Sequence, residues 1–277
     1  MGIEGENTAG VVDGAEFLRK VSLGESVKVG KKVAVVGGGN VAIDAARTAL
    51  RLGANEVTIV YRRTRAEMPA SDEEVEAALE EKVKVEFLTN PTKAMNENGK
   101  LKVEFIRQAL GKVDQSGRPR PEPIKGSEFT REYDMLIKAI GQESETPGSF
   151  GVKTARAGRI EANKESMITS RDGVYAGGDV VSGPASVIEA IADGRKAAVA
   201  IDKYLGGDGM IAEILAPVEA PPKYIPPEIE GEQKRLPFKM VPTAERLRNF
   251  KLAELGWDNK QAEYDCSRCL RCDLEER

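Results

Sequence analysis

The sequence predicts an α/β fold, and three observations predict it. An apolar run, Val33-Ala34-Val35-Val36, passes through Gly37-Gly38-Gly39 into the helix-like stretch Val41-Ala42-Ile43-Asp44-Ala45-Ala46. A second apolar run, Val57-Thr58-Ile59-Val60, follows at the distance a β–α–β unit requires. From residue 31 to about 142 strand-like and helix-like patterns keep alternating, as in a doubly wound domain.

The elements follow in order. Residues 1–30 hold one short helix, around Gly14 to Val21, then a Gly/Lys-rich approach to the first strand. After the second strand, Ser71 is placed to cap a helix whose first turn carries Asp72, Glu73 and Glu74, with Val75, Ala78 and Leu79 on an apolar face. Those acidic residues read as a solvated helix face and are assigned no chemistry. Val83 to Leu88 reads as a strand, and Leu101 to Ala109 as a hairpin arm behind an Asn98-Gly99 turn. Gly117 to Pro123 reads as a Pro/Arg-rich loop, and Tyr133 to Ala139 leads into a short strand ending at Ile140-Gly141. A different unit occupies about 143–207, with short strands at Arg159 to Glu161 and Gly173 to Gly177 and a helix from Val187 to Leu205. Residues 208–277 form a tail: Pro217 to Pro237 extended, then one or two helices within 243–264, then the cysteines.

The glycine turn carries the chemistry. Gly37-x-Gly39-x-x-Ala42 has the spacing of a dinucleotide-binding fingerprint in a Rossmann-like domain, with alanine in its third small position. Gly37 permits a tight turn, Gly39 lets backbone approach a pyrophosphate, and Ala42 lets helix pack closely on strand. The helix N-terminus offers unpaired N–H groups and a positive dipole end to phosphate. A bare Gly-rich strand–helix turn can also be purely structural; the second strand at the right distance favours nucleotide. An NAD site places Asp or Glu at the end of that strand, whereas this chain has Tyr61-Arg62-Arg63 with Arg65 behind. Guanidinium groups there pair with a 2′-phosphate, so NADP(H) is expected over NAD(H), with a solvated basic loop as the alternative.

Composition narrows the classes. A hydrophobic fraction of 40% and a charged fraction of 31% over 277 residues fit a soluble globular protein of one large or two modest domains. The formal net charge of −4 argues against general nucleic-acid affinity. No apolar run reaches spanning length and no signal-peptide pattern opens the chain, so a cytoplasmic setting is expected. The chain has no histidine, which excludes Ser-His-Asp and Cys-His machinery and His-ligated metal sites. All three cysteines, Cys266, Cys269 and Cys272, lie at the C-terminus, leaving no internal redox dithiol.

Thr169 to Asp179, ending Tyr175-Ala176-Gly177-Gly178-Asp179, resembles the second FAD-binding signature of flavoproteins with two dinucleotide-binding domains. Without that resemblance, Gly-Gly-Asp reads as an Asx-type turn ending a strand. The chain is similar to the glutamate synthase small-subunit family, related to the NADPH-binding parts of dihydropyrimidine dehydrogenase and NADH-dependent ferredoxin:NADP oxidoreductase. The matching blocks are Gly37 to Arg47, Tyr61-Arg62-Arg63, Glu67-Met68-Pro69-Ala70, Ala139-Ile140-Gly141-Gln142, Ala176 to Val180 and Ala190 to Ala198, within about residues 3–207. The resemblance implies the C-terminal part of a second, FAD-binding Rossmann-like domain over 143–207, an NAD(P)H-binding domain over 31–142, and an interdomain crossing segment over 1–30. It implies Gly37, Gly38, Gly39, Asn40, Val41 and Ala42 around the pyrophosphate, and Tyr61, Arg62 and Arg63 around the 2′-phosphate. It further implies Gly178, Asp179 and the helix start Ser186-Val187-Ile188 beside FAD, where a helix dipole tunes the flavin, and Gly141 as a further cofactor-binding residue. Two departures stand out. Members open with a further Gly-x-Gly-x-x-Gly turn that cradles the FAD pyrophosphate, and Ile3-Glu4-Gly5-Glu6-Asn7 resembles the crossing that follows it; the other half of the flavin site is therefore expected from elsewhere. Lys82 stands where members often have glycine, which concerns only a helix end.

Cys266-x-x-Cys269-x-x-Cys272 is a spacing that collects three thiolates around an iron–sulfur cluster, and Arg268 to Asp273 resembles the start of the family's iron–sulfur segment. A [4Fe–4S] cluster needs a fourth ligand, expected from a partner or from further chain; zinc and unligated thiols are the competing readings. The resemblance thus implies an NADPH-dependent flavoprotein oxidoreductase module passing electrons through FAD to iron–sulfur carriers, in a hetero-oligomer with an iron–sulfur or FAD-completing subunit. No acid or base side chain is required, so no catalytic residue is assigned. The alternatives are a subunit of an electron-bifurcating or transhydrogenase complex, and a non-catalytic nucleotide-binding docking subunit.

Overall fold

The computed structural model describes residues 1–113, 117–211 and 234–268. These divide into two compact units, residues 1–113, 117–140 and 234–268 in one and residues 141–211 in the other.

The first unit runs β1 (Val11–Asp13), α1 (Gly14–Ser22), β2 (Lys32–Val36), α2 (Asn40–Arg51), β3 (Glu56–Val60), α3 (Asp72–Glu80), β4 (Lys84–Glu86), β5 (Thr89–Glu97), β6 (Lys100–Val113), β7 (Pro119–Pro123), β8 (Phe129–Tyr133) and β9 (Met135–Lys138). Five strands form a parallel sheet in the order β1-β9-β2-β3-β4. β2 therefore lies between β3 and β9, and the switch point of the sheet falls at its C-terminal end, where the glycines are.

Alternation along β2 and β3 explains their unbroken apolar runs. Val33, Val35, Val57 and Ile59 pack against Phe17 of α1, Ala42, Ile43, Ala46 and Ala49 of α2, and Val75 and Ala78 of α3. Their neighbours Ala34, Val36 and Val60 pack on the opposite face with Ala94, Leu101, Val103, Phe105 and Tyr133. Strands buried on both faces have no polar side to alternate with. The second face is covered by β5, β6 and β8 of an antiparallel sheet, whose β7 pairs with the far part of β6, where a doubly wound domain would carry helices.

The Asn98-Gly99 turn forms as expected: both residues take positive φ (53° and 79°), joining β5 to β6. Gly117 to Pro123 is not a loop throughout; Pro119–Pro123 is a strand, with Pro123 opposite Gln108 and Pro121 opposite Leu110. Proline at every second position removes N–H groups along one edge only, which an edge strand can leave unpaired. Ser71 caps α3, its hydroxyl accepting from Glu74 N.

In the second unit, α4 (Asp179–Ser182) and α5 (Val187–Tyr204) are helical. The strands expected at 159–161 and 173–177 reduce to isolated bridges, Thr154 with Ile160 and Ile168 with Tyr175. Local side-chain bonds compete with longer ladders there: Asn163 Oδ1 accepts from Glu165 N and Ser166 N, and Thr169 Oγ1 from Arg171 N.

Residues 234–268 carry α6 (Thr243–Arg246) and α7 (Asn259–Cys266). Val241 N donates to Ala253 O and Leu255 N to Lys239 O, both at 2.8 Å. Phe238 stacks on Trp257 with centroids 4.6 Å apart. Arg246, 4% exposed at its side chain, donates to Glu80 Oε2 at 2.9 Å and lies 3.7 Å from Glu81 Oε1. Glu81 is fully buried between Arg47 and Arg51 of α2, with bonds of 2.8–3.1 Å. Burial pushes the Glu81 carboxyl up, but the bonds from Arg51 and Arg47 outweigh it and hold it below its ordinary value. The extended stretch expected at 217–237 lies largely outside the described residues. No helix among the described residues is long and apolar enough to cross a membrane.

Candidate functional site

The three glycines at the end of β2 have three different surroundings. Gly37 (φ +147°) is pressed against the residue just beyond β9, and a Cβ on it would lie 2.1 Å from Ala139 O. A Cβ on Gly38 would lie 2.6 Å from the Tyr61 ring. A Cβ on Gly39 would meet only Pro69 Cγ, at an ordinary 3.7 Å. Packing thus demands glycine at 37 and 38. At 39 the space that a side chain would fill is left open, at the N-cap of α2, where no side chain caps the helix. Asn40 and Val41 are exposed beside it, while Ala42 is fully buried against the sheet. Exposed, uncapped N–H groups in the first turn form an anion-binding end, so this edge suits a pyrophosphate.

The end of β3 lies next to this turn. Tyr61 is 6% exposed and its hydroxyl donates to Glu67 O at 2.7 Å, so it braces the loop from inside. Arg62 is exposed. Arg63 is 3% exposed, and its Nε donates to Pro119 O at 2.7 Å. Arg65 pairs with Asp72. The nearby carboxylate of Glu67 is turned to Thr64, whose hydroxyl and N–H hold it below its ordinary pKa. The loop therefore presents the exposed Arg62, with Arg65 half-exposed and paired to Asp72 and the Glu67 carboxylate already bonded.

In the second unit, Gly178 takes φ +69° and its N–H donates to Asp193 Oδ2 of α5 at 3.1 Å. Asp179 is exposed and its Oδ1 accepts from Ala185 N at 3.2 Å. Ser186 and Glu189 form a reciprocal cap at the start of α5, leaving Val187 and Ile188 exposed. An exposed acceptor and a helix N-terminus in neighbouring positions suit the ribityl and ring edge of a flavin. Gly141, exposed with φ +104°, stands just beyond β9.

Cys266 ends α7 as an exposed free thiol; Cys269 and Cys272 lie outside the described residues. Sequence reasoning missed Pro119, which holds Arg63, and Arg246; no motif marks either. Pro69 and Ala70, which close the Glu67-Met68-Pro69-Ala70 stretch, both border the glycine turn. Ala70 N donates to Gly38 O at 3.1 Å, and Pro69 flanks Gly39.

Residues 1–194 match the family described as pyridine nucleotide-disulphide oxidoreductase. The chain is 42% identical over 284 residues to the beta subunit of NADP(+)-dependent formate dehydrogenase of Moorella thermoacetica, covering 98% of this chain and 40% of that protein. It is 38% identical over 309 residues to the beta subunit of NADPH-Fe(3+) oxidoreductase of Geobacter sulfurreducens, covering 98% and 46%. The glutamate synthase [NADPH] small chain of Azospirillum brasilense is 39% identical over 216 residues, covering 72% of this chain and 45% of that one. The chain spans less than half the length of each of these relatives. Among solved structures, Mycobacterium tuberculosis FprA in complex with NADPH superposes with a TM-score of 0.60 at 20% identity, over 74% of this chain and 61% of that one, a likeness of fold.

Proposed function

We propose, for a chain that belongs to the pyridine nucleotide-disulphide oxidoreductase family, whose cofactors are FAD and NADP(H), that it is the NADPH-binding part of an oxidoreductase feeding iron–sulfur carriers. The observation that carries this reading is the pairing of an open glycine lip, Gly39 with Asn40 and Val41, with exposed Arg62 at the end of the adjacent strand. The N–H groups of the lip hold the pyrophosphate, and Arg62 pairs with the 2′-phosphate. Tyr61 and Ala139 hold the lip in shape from behind.

Gly178, Asp179 and the start of α5 would hold one edge of FAD, Asp179 accepting from a ribityl hydroxyl. Bound flavin supplies conversion of a two-electron hydride donor into single electrons. Cys266, Cys269 and Cys272 would supply three thiolates to a [4Fe–4S] cluster, with the fourth ligand from a partner. Two relatives whose names mark them as beta subunits match this chain over 98% of its length, tail included, which supports work within a multi-subunit assembly.

Absorbance of the protein assembled with the subunit that completes its flavin site and supplied with FAD, followed anaerobically, tests the reading. Retained flavin that bleaches on NADPH, and more slowly on NADH, is the expected result. Flavin that neither coenzyme bleaches would overturn it.

A further inference from the structure

Arg62 and Arg63 are adjacent in sequence but differ in surroundings. Arg62 is exposed, while Arg63 is buried with its Nε on the Pro119 carbonyl of β7. β6 is long, and its last part, with β7, forms an arm beyond the point where β5 and β8 pair with it. The base of this arm is also tied to the loop after β3. Thr89 N donates to Tyr61 O, Leu88 N to Arg63 O and Gln108 N to Leu88 O. Arg107 adds a bond to Thr89 Oγ1 and an ion pair to Glu86, each at 2.8 Å. The arm is therefore fastened to the loop at its base through the backbone and higher up through Arg63.

We infer that Arg63 is a positioning residue that brackets the β6–β7 arm against the end of β3, making the arm a wall beside the adenosine end of the coenzyme, while Arg62, not Arg63, reads the 2′-phosphate. The assignment rests on the NADP(H) reading above. The end of the second strand is where the adenosine ribose lies in a fingerprint of this kind, so whatever is fixed to residue 63 stands next to it. At 3% exposure Arg63 offers almost no guanidinium surface to a ligand, and to reach a phosphate its side chain would have to swing outward and give up the bond to Pro119 O. Arg62 meets no such cost.

Glutamine separates the two roles. Its amide nitrogen is as many bonds from Cα as the arginine Nε, so Arg63→Gln keeps the donor for Pro119 O and removes the charge. Calorimetric affinities for NADPH and NADH, with hydrogen exchange of residues 107–113 and 120–124, are compared across Arg62→Ala, Arg63→Gln and Arg63→Ala. Arg62→Ala lowers the NADPH-to-NADH affinity ratio by at least about tenfold, and Arg63→Gln changes it by less than about twofold. Arg63→Ala speeds exchange in the arm and weakens both coenzymes by the same factor. Should that variant fail to fold, Arg63→Gln decides the matter alone. A tenfold fall in the ratio for Arg63→Gln with NADH affinity kept would overturn the bracket and leave the NADP(H) reading standing. Unchanged arm exchange in Arg63→Ala would also overturn it. If the unaltered protein bound neither coenzyme, the NADP(H) reading and the wall would both fall, and the exchange data would still decide whether Arg63 holds the arm.

Discussion

The Tyr61 ring occupies the space beside Gly38 so closely that a Cβ there would lie 2.6 Å from it. The residue just beyond β3 thereby shapes the turn after β2. Gly38→Ala forces the ring aside and strains the bond from its hydroxyl to Glu67 O, at a cost of about 1–3 kcal/mol. Gly37→Ala is destabilising as well, because φ is positive and Ala139 O blocks the Cβ.

Gly39→Ala separates folding from binding. Its methyl group meets only Pro69 at ordinary contact, so the melting temperature stays within about 2 °C of the unaltered protein. NADPH affinity falls by about tenfold or more, since the methyl fills the lip that the pyrophosphate would approach. Thermal melts with and without NADPH check both halves.

The buried cluster around Glu81 fastens residues 234–268 to α3 and the residue just beyond its end, within the first unit. Glu81→Ala leaves Arg47 and Arg51 facing each other without their shared acid, and costs about 3–5 kcal/mol in urea unfolding. Arg246→Met keeps volume but breaks the link to Glu80, so hydrogen exchange rises across 234–268 while NADPH affinity is kept.

Asp134 locks the start of β2 to the turn before β9. Its carboxylate accepts from Lys31 N, Lys32 N and Lys100 Nζ. The Lys100 ammonium, with the two N–H groups, lowers its pKa to about 2. A lowered folded-state pKa gives stabilisation that is present above pH 4 or so and is lost as pH falls toward 2. Asp134→Asn removes about 1 kcal/mol at neutral pH, after allowance for solvent screening at a partly exposed site, and flattens the acid side of the stability profile.

Lys82 follows α3 with φ +66°, a conformation in which glycine is unstrained. Lys82→Gly raises stability by up to about 1 kcal/mol in urea unfolding.

The β2–α2–β3 unit is legible in sequence because its period and small residues are local. Ala42, Gly37 and the apolar runs each have one physical reason, readable without the rest of the fold. The antiparallel sheet is less legible. Ala94 and Leu101 meet Val36 and Val60 only through tertiary packing, and Pro119, Pro121 and Pro123 disguise an edge strand as a loop. Arg63 illustrates the same limit at the candidate site: adjacency to Arg62 suggests a shared role, and a carbonyl from a strand more than fifty residues away decides its burial. Arg246 carries no local signal because its partners lie on α3 and just beyond it.

Separate calorimetric titrations of the protein with NADPH and NADH test the central claim most directly. One NADPH per chain, bound at least about tenfold more tightly than NADH and with the preference abolished in Arg62→Ala, is the predicted result. Absence of heat with NADPH, or equal affinity for the two coenzymes, would contradict the account.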